Sequence, residues 1–358
     1  MSESPDKTTS EERFEPFELA IYRLSPLGFW GTTLALFLLA IGSYALISTL
    51  TQQPPLIETR SDGTRGLPDV AWIAFVLSLI FTAGPALTEN GRRYWARFAP
   101  QVAETVATDG QQQALDFGDG RLPVSARGMY RLMALLGIIA GLGQNALIML
   151  LQDAPIHLYL SSVGLWFVLI SPPLFAVGFR AGYDVAREGG ALKRLILDHV
   201  EVDLFHLDRL SVYGSIGLRA ALSWMVMAAI LLLFLVDANQ LWSGLIGVGF
   251  AIVGAVSVST SAVRPVHDRI RAAKTAELDR IHEAMSQQRE RALAGDPDAA
   301  SALAGLTDYE IWIEQRPEWP LSPGVTTRFA FYILIPVVPI AGSYLFEKVA
   351  DFMITGGS

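Results

Sequence analysis

Seven long apolar stretches that contain no charged residue and no histidine constrain this chain more than any other feature of its sequence. They cover residues 27–50, 70–87, 132–151, 158–179, 220–236, 241–263 and 329–346. A helix needs about 20 apolar residues to cross the hydrocarbon core of a bilayer, and each stretch comes close to that length. Only 17% of the 358 residues are charged, against roughly 25% in soluble domains. The pattern excludes a soluble globular protein.

Backbone groups inside hydrocarbon must find their hydrogen-bond partners within their own segment, so each stretch is predicted to be a helix. The expected fold is all-α: a polytopic membrane protein with seven transmembrane helices and helical cytoplasmic arms. The predicted parts are a cytoplasmic tail at 1–26, a six-span bundle at 27–263 with arms at 88–131 and 180–219, an arm at 264–328, and a last span with a short outer carboxyl terminus at 329–358.

The basic residues predict how the chain is oriented. Of the 27 lysine and arginine residues, all but Arg60, Arg65 and Lys348 lie in the tail or in the three long arms. The positive-inside rule places these segments in the cytoplasm. The amino terminus is therefore expected inside and the carboxyl terminus outside.

Several kinds of chemistry are excluded by residues that the sequence lacks. There is no cysteine, so disulfides, zinc–thiolate sites and iron–sulfur clusters cannot form. The apolar stretches contain no histidine pair for haem, no lysine for a retinal Schiff base and no carboxylate for a proton relay. A net charge of −8 argues against a nucleic-acid partner. We expect no cofactor, and the lipid bilayer as the first partner.

Small residues recur every fourth position in two spans. Gly137 and Gly141 form such a row in the third span, and the sixth span carries Ser243, Gly247, Ala251 and Ala255. Small residues allow helix backbones to approach closely in a membrane. Two interpretations stay open: packing within one bundle, or an interface between copies in a homo-oligomer.

Polar residues and prolines inside the spans are candidates for a pore or substrate path. The candidates are Gln144, Asn145, Ser171, Pro172, Pro173, Ser257 and Ser259. Interrupted helices and polar side chains at membrane depth can form transport sites. The same residues are also typical of structural kinks and of hydrogen bonds between helices.

One cluster in the arm at 180–219 contains residue types that bind zinc or iron, namely His199, Glu201, Asp203 and His206, with Asp208 beside them. Their spacing matches no established metal motif, and the alternation with Val200, Val202 and Leu204 is typical of a half-buried strand. We therefore expect no metal ion. A metal ion in this cluster would indicate an enzyme that acts on lipid.

The arm at 264–328 is predicted to contain two helices. Pro265 favours a helix start, Gly295 with Asp296 and Pro297 favours a stop, and a second helix is expected over 299–315. Two interpretations remain: the first helix packs against the other arms, or it forms a coiled coil or a surface for a partner.

Two segments next to the last predicted spans are similar to known sequences. RPVHDRIRAAKTAELDRI at 264–281 and EWPLSPGVTTRFAFYILIPVVP at 318–339 resemble segments of an uncharacterised family of prokaryotic multi-pass integral membrane proteins with no assigned activity. The resemblance implies a protein of the prokaryotic cytoplasmic (inner) membrane, with a cytoplasmic helix coupled to the last spans. It implies no functional residues.

The long arms and the rows of small residues favour a non-enzymatic membrane protein whose cytoplasmic helical layer mediates assembly or signalling. Its partner is then a second copy of the chain or a cytoplasmic protein. The alternative is a passive channel or uniporter, with a path lined by the polar residues of the third, fourth and sixth spans.

Overall fold

The computed structural model describes residues 13–53, 58–59, 65–66, 68–119, 121–236 and 241–321, together with positions 324, 327, 328 and 331. Of the seven predicted spans, six fall within these residues. The last, at 329–346, lies outside them except for position 331.

The described residues form ten α-helices and four short strands. The helices are α1 (Phe17–Leu24), α2 (Gly28–Leu50), α3 (Asp69–Ala103), α4 (Gln111–Asp116), α5 (Arg127–Leu151), α6 (Ile156–Leu160), α7 (Gly164–His199), α8 (Ser211–Leu232), α9 (Leu241–Leu293) and α10 (Pro297–Glu314). The strands are β1 (Arg13–Phe14), β2 (Glu58–Thr59), β3 (Arg65–Gly66) and β4 (Leu122–Pro123). These strands form two antiparallel pairs, β1 with β4 and β2 with β3.

Six helical segments of the described part are long and apolar enough to cross a membrane. They are Gly28–Leu50, Val70–Ala103, Val124–Leu151, Gly164–His199, Leu207–Leu232 and Gly247–Leu293. Large apolar side chains on their outer faces, such as those of Trp30, Leu39 and Leu150, are mostly exposed, as expected where lipid is the solvent. The fold is therefore all-α and polytopic.

The helix start predicted at Pro265 is wrong, because no new helix begins there. The helix α9 runs without a break through Pro265 for 53 residues, a length of about 80 Å at 1.5 Å per residue. Proline removes only one backbone hydrogen bond, and the next turns are held by Val266 and Ile270, which are fully buried. Packing therefore compensates for the local preference of proline to start a helix. The predicted stop is correct, because Gly295 adopts a positive φ of 90° just after α9 ends.

At one end of the bundle, the polar parts of these helices pack into a second compact unit. We call it the helical layer: residues 92–119, 180–216 and 264–314. Its core contains Val102, Val106, Ala114, Leu192, Leu195, Ile196, Val200, Leu210, Tyr213, Ile216, Val266 and Ile270. The helix predicted at 299–315 is observed as α10, and its Ile313 packs on Ile281 of α9. The arms are thus one packed layer, as one of the two interpretations expects.

Candidate functional site

A cavity of about 280 Å³ lies where the transmembrane helices enter the helical layer. We call it the junction cavity. Four long helices, α3, α7, α8 and α9, contribute most of its walls, which are mainly apolar. Trp95 of α3, Leu192 of α7, Trp224 and Met227 of α8 and Val258 of α9 are among the side chains that form these walls.

Two carboxylates of α7 line this apolar cavity. Asp184 and Glu188 follow Arg180 at intervals of four residues, so the three side chains lie on one face of the helix. One carboxylate oxygen of Asp184, Oδ1, is buried and has no hydrogen-bond partner in the described part of the chain. The indole of Trp95 hydrogen-bonds to Glu188.

The cations at the cavity wall are engaged with other groups. Arg92 chelates both oxygens of the buried Glu89, through Nε and Nη2 at 2.8 Å each. Arg219 donates from Nη2 to Oδ1 of Asn90 at 2.8 Å, and its guanidinium lies 5.7 Å from the centre of the Tyr94 ring. The Nε of Arg219 is buried and has no hydrogen-bond partner among the described residues.

A buried ion pair next to the cavity fixes the amino-terminal helix to the bundle. Nη2 of Arg180 lies 2.5 Å from Oε1 of Glu18 in α1, and both side chains are largely buried. The hydroxyl of Tyr130 in α5 donates to Oε2 of Glu18 at 3.1 Å. The guanidinium of Arg180 is also 5.3 Å from the centre of the Tyr130 ring. Helices α1, α5 and α7 therefore meet at one charged contact.

Sequence reasoning missed this site because it sought buried charges only inside the uncharged stretches. Glu18 and Glu89 are buried, although they belong to the predicted tail and to the first predicted arm. Asp184 and Glu188 belong to the second arm, and α7 carries them to the cavity because it continues beyond residue 179. The four-residue spacing of Arg180, Asp184 and Glu188 is the signal that could have revealed them.

The candidate path residues lie in separate places. Gln144 and Ser257 are exposed on the outside of the bundle. Ser171, Pro172 and Pro173 belong to α7 where it packs on α5, and Ser259 hydrogen-bonds to the carbonyl oxygens of Gly217 and Ala255 between α8 and α9. None of the seven candidates lines the junction cavity.

Asn145 is the most deeply buried of these path residues, and its amide is fully engaged. Its Nδ2 donates to the carbonyl oxygen of Gly141 at 2.8 Å and to that of Phe167 at 3.3 Å. Its Oδ1 accepts a hydrogen bond from the hydroxyl of Tyr159 at 3.1 Å. The side chain links α5 to α7 and to the short helix α6.

The small-residue rows face other helices of the same chain. A Cβ atom added to Gly137 would lie 2.5 Å from Cα of Ala176, and one added to Gly141 would lie 2.7 Å from the carbonyl carbon of Ser171. In α9, Gly247 lies against Leu231 of α8, and Ala251 and Ala255 are buried. The backbone of Ser243 lies in α9, but its side chain is outside the described residues.

The weak metal candidates are arranged in pairs. Nδ1 of His206 lies 2.6 Å from Oδ2 of Asp203, and this hydrogen bond is the main reason why the pKa of Asp203 is lowered. Nδ1 of His199 lies 3.2 Å from Oδ1 of Asp109. Among the described residues, no three or more histidine and carboxylate side chains, Glu201 included, lie close enough together to hold a metal ion.

Similarity to other proteins adds nothing to this geometry. The chain matches no protein-family model, no curated protein and no solved structure. The functional evidence therefore lies in the junction cavity, its two carboxylates and the continuous helices around it.

Proposed function

We propose that this chain is a non-enzymatic protein of the prokaryotic inner membrane whose helical layer faces the cytoplasm and mediates assembly or signalling. The supporting observation is that α3, α7 and α9 run without a break from the apolar bundle into the layer. All three also line the junction cavity. A change in the contents of this cavity therefore acts on helices that belong to both parts.

Close packing makes such a coupling effective. The layer has its own buried core, in which Val102 of α3, Leu195 of α7 and Val266 of α9 are fully buried. Packed cores have few voids and transmit small displacements instead of absorbing them. A shift of one helix at the junction is thus passed to its neighbours in the layer.

The layer also exposes apolar surface for a partner. Leu293 at the end of α9 is 78% exposed, and Phe205 and Ile311 are about half exposed. Phe205 lies on Trp312 of α10, with ring centres 4.7 Å apart. Exposed apolar groups on a water-facing surface are typical of protein interaction sites. A second copy of the chain or a cytoplasmic protein fits this surface.

Crosslinking in native membranes tests the proposal, because the chain has no cysteine of its own. A single Gln287→Cys substitution places a thiol on the exposed surface of α9 in the layer. We expect crosslinks to a second copy or to a partner. Adding Ser223→Phe, which fills the cavity, should change their yield, whereas the matched Ser257→Phe on the outer surface should not.

A strictly monomeric protein by light scattering, with no crosslinked species in native membranes, would overturn the proposal. The alternative of a passive channel has less support, because its path residues are dispersed. Proteoliposome flux that is lost in a Gln144→Leu, Asn145→Leu double variant would favour the channel instead.

A further inference from the structure

The junction cavity has the walls of a small-molecule site and approaches the size of one. Its volume of about 280 Å³ lies just below the range of roughly 300–1,000 Å³ that is typical of ligand pockets. Trp95, Trp224 and Phe117 supply aromatic surface, and the rest of the lining is mainly aliphatic. Such walls accommodate an apolar body and, through their aromatic faces, a positive charge.

Among the described residues of the wall, two carboxylates and one guanidinium lack an ion-pair partner, so the excess charge is negative. Asp184 and Glu188 reach the cavity, and neither forms an ion pair among the described residues, since Arg180 and Arg187 act on them only from longer range. Of the two arginines of the wall, Arg92 is chelated to Glu89, whereas Arg219 holds the neutral amide of Asn90 and keeps its positive charge. Carboxylates without an ion-pair partner in an apolar setting are costly, and a bound cation removes that cost.

A metal ion fits these surroundings poorly. Calcium takes six to eight oxygen ligands, and magnesium needs a nearly ideal octahedron of them. The described residues bring no third histidine or carboxylate close enough to Asp184 and Glu188 to share a metal ion with them, and the remaining wall is mainly apolar. An organic cation needs only charge neutralisation and apolar contact.

We propose that the junction cavity binds one small organic cation with an apolar body, such as an aromatic or alkyl ammonium ion, with Asp184 and Glu188 as its counter-ions. The inference rests on the proposed function, since it names the class of ligand whose binding acts on the helical layer. Trp95 and Trp224 contact the apolar body.

Titration of the purified protein in lipid nanodiscs with benzyltriethylammonium tests the ligand class, with empty nanodiscs as the blank. Calorimetry and tryptophan fluorescence both report binding, because two tryptophans line the cavity. We expect saturable binding that weakens at least about tenfold in an Asp184→Asn, Glu188→Gln double variant, as for the loss of a close charge pair. A Glu104→Gln, Asp198→Asn variant removes the same net charge from exposed positions and should bind as the wild type does.

Other ligands and a second variant keep the test decisive. Benzenesulfonate and sodium ions should not bind, and Ser223→Phe should abolish ammonium binding while it leaves both carboxylates in place. Wild-type affinity in the Asp184→Asn, Glu188→Gln variant would overturn the inference. So would benzenesulfonate binding that depends on Arg219. No ammonium binding with an intact crosslinking response overturns the ligand class alone, whereas binding without any crosslinks overturns the proposed function.

Discussion

Helix α7 takes part in two contacts that are packed in opposite ways. Its first half lies against α5 so closely that Gly137 and Gly141 leave no room for a Cβ atom, and the buried amide of Asn145 is fully hydrogen-bonded there. Its second half presents Asp184 and Glu188 to a cavity of about 280 Å³, where one carboxylate oxygen has no partner among the described residues.

The α5–α7 contact stabilises the bundle, whereas the junction cavity leaves a buried carboxylate oxygen of Asp184 without a hydrogen-bond partner among the described residues. Buried polar groups in native proteins are normally paired, and unpaired ones cost free energy of unfolding. The same helix meets this requirement at one end and not at the other. Natural chains are expected to violate such packing rules mainly at functional or strained sites.

The largest expected effect concerns the ion pair that bounds the cavity. Replacing Glu18 with alanine leaves the guanidinium of Arg180 buried without its 2.5 Å partner. We expect a loss of about 3–5 kcal/mol in the free energy of unfolding, as for other broken buried pairs. Chemical unfolding in detergent micelles, followed by circular dichroism, measures it.

The matched control is Glu15→Ala. Glu15 pairs with Arg23, whose side chain is 61% exposed, and exposed pairs contribute about 0–1 kcal/mol. If both variants lost the same free energy of unfolding, the ion pair of Glu18 with Arg180 would contribute no more to stability than the surface pair of Glu15 with Arg23.

A bulky side chain at the α5–α7 contact should have the next largest effect. In Gly141→Leu the new side chain meets the backbone of Ser171, and overpacking of this kind costs about 1–3 kcal/mol. Gly143→Leu is the control, because an added Cβ there has no atom within 4 Å. The same unfolding measurement applies, and a similar cost at both positions would show that α5 and α7 are not in close contact.

Much of the bundle could be predicted from the sequence because the signal was local. Uncharged stretches of about 20 residues mark spans, and six of the seven are observed as candidate membrane helices. The helix expected at 299–315 is confirmed as Pro297–Glu314, since Asp296 caps it and Pro317 follows it. These features depend on residues close together in the chain.

The junction could not be predicted, because it depends on contacts between distant segments. Glu18 and Arg180 are far apart in sequence, and nothing near either residue indicates that they meet. The helix start predicted at Pro265 is wrong for the same reason. The preference of proline for the first turn of a helix is outweighed by the burial of Val266 and Ile270 among the other arms. The cavity is formed by four helices together, and the four-residue spacing of Arg180, Asp184 and Glu188 in α7 is the one local sign of it.

A smaller effect of opposite sign is expected when the unpaired carboxylate is removed. Asp184→Asn eliminates a buried charge that has no ion-pair partner, and we expect a gain of about 1 kcal/mol in the free energy of unfolding. Asp198→Asn, on the exposed surface of α7, should change it by less than about 0.5 kcal/mol. Destabilisation by Asp184→Asn would show that this carboxylate is structural, and the contrast between the two halves of α7 would then disappear.

The smallest effect on stability is expected at Asp296, an exposed carboxylate whose hydrogen-bond partners are all present. Asp296 therefore serves as the reference for Asp184. Asp296 accepts hydrogen bonds from the backbone N–H groups of Ala299 and Asp298 and from Nη2 of Arg291. These contacts, that of Ala299 first, lower the pKa of Asp296 below its ordinary value of 3.8. A carboxyl with a lowered folded-state pKa stabilises the protein at neutral pH, and this contribution is lost as the pH falls below 3.8 and through the lowered value.

Asp296→Asn separates the charge of this cap from its geometry, because asparagine is also a good N-cap but does not titrate. The wild type should melt slightly above the variant at neutral pH, and the two melting temperatures should converge as the pH falls below 3.8. Thermal unfolding followed by circular dichroism across this range measures the difference. A constant difference would show that the charge of Asp296 adds nothing to its role as an acceptor.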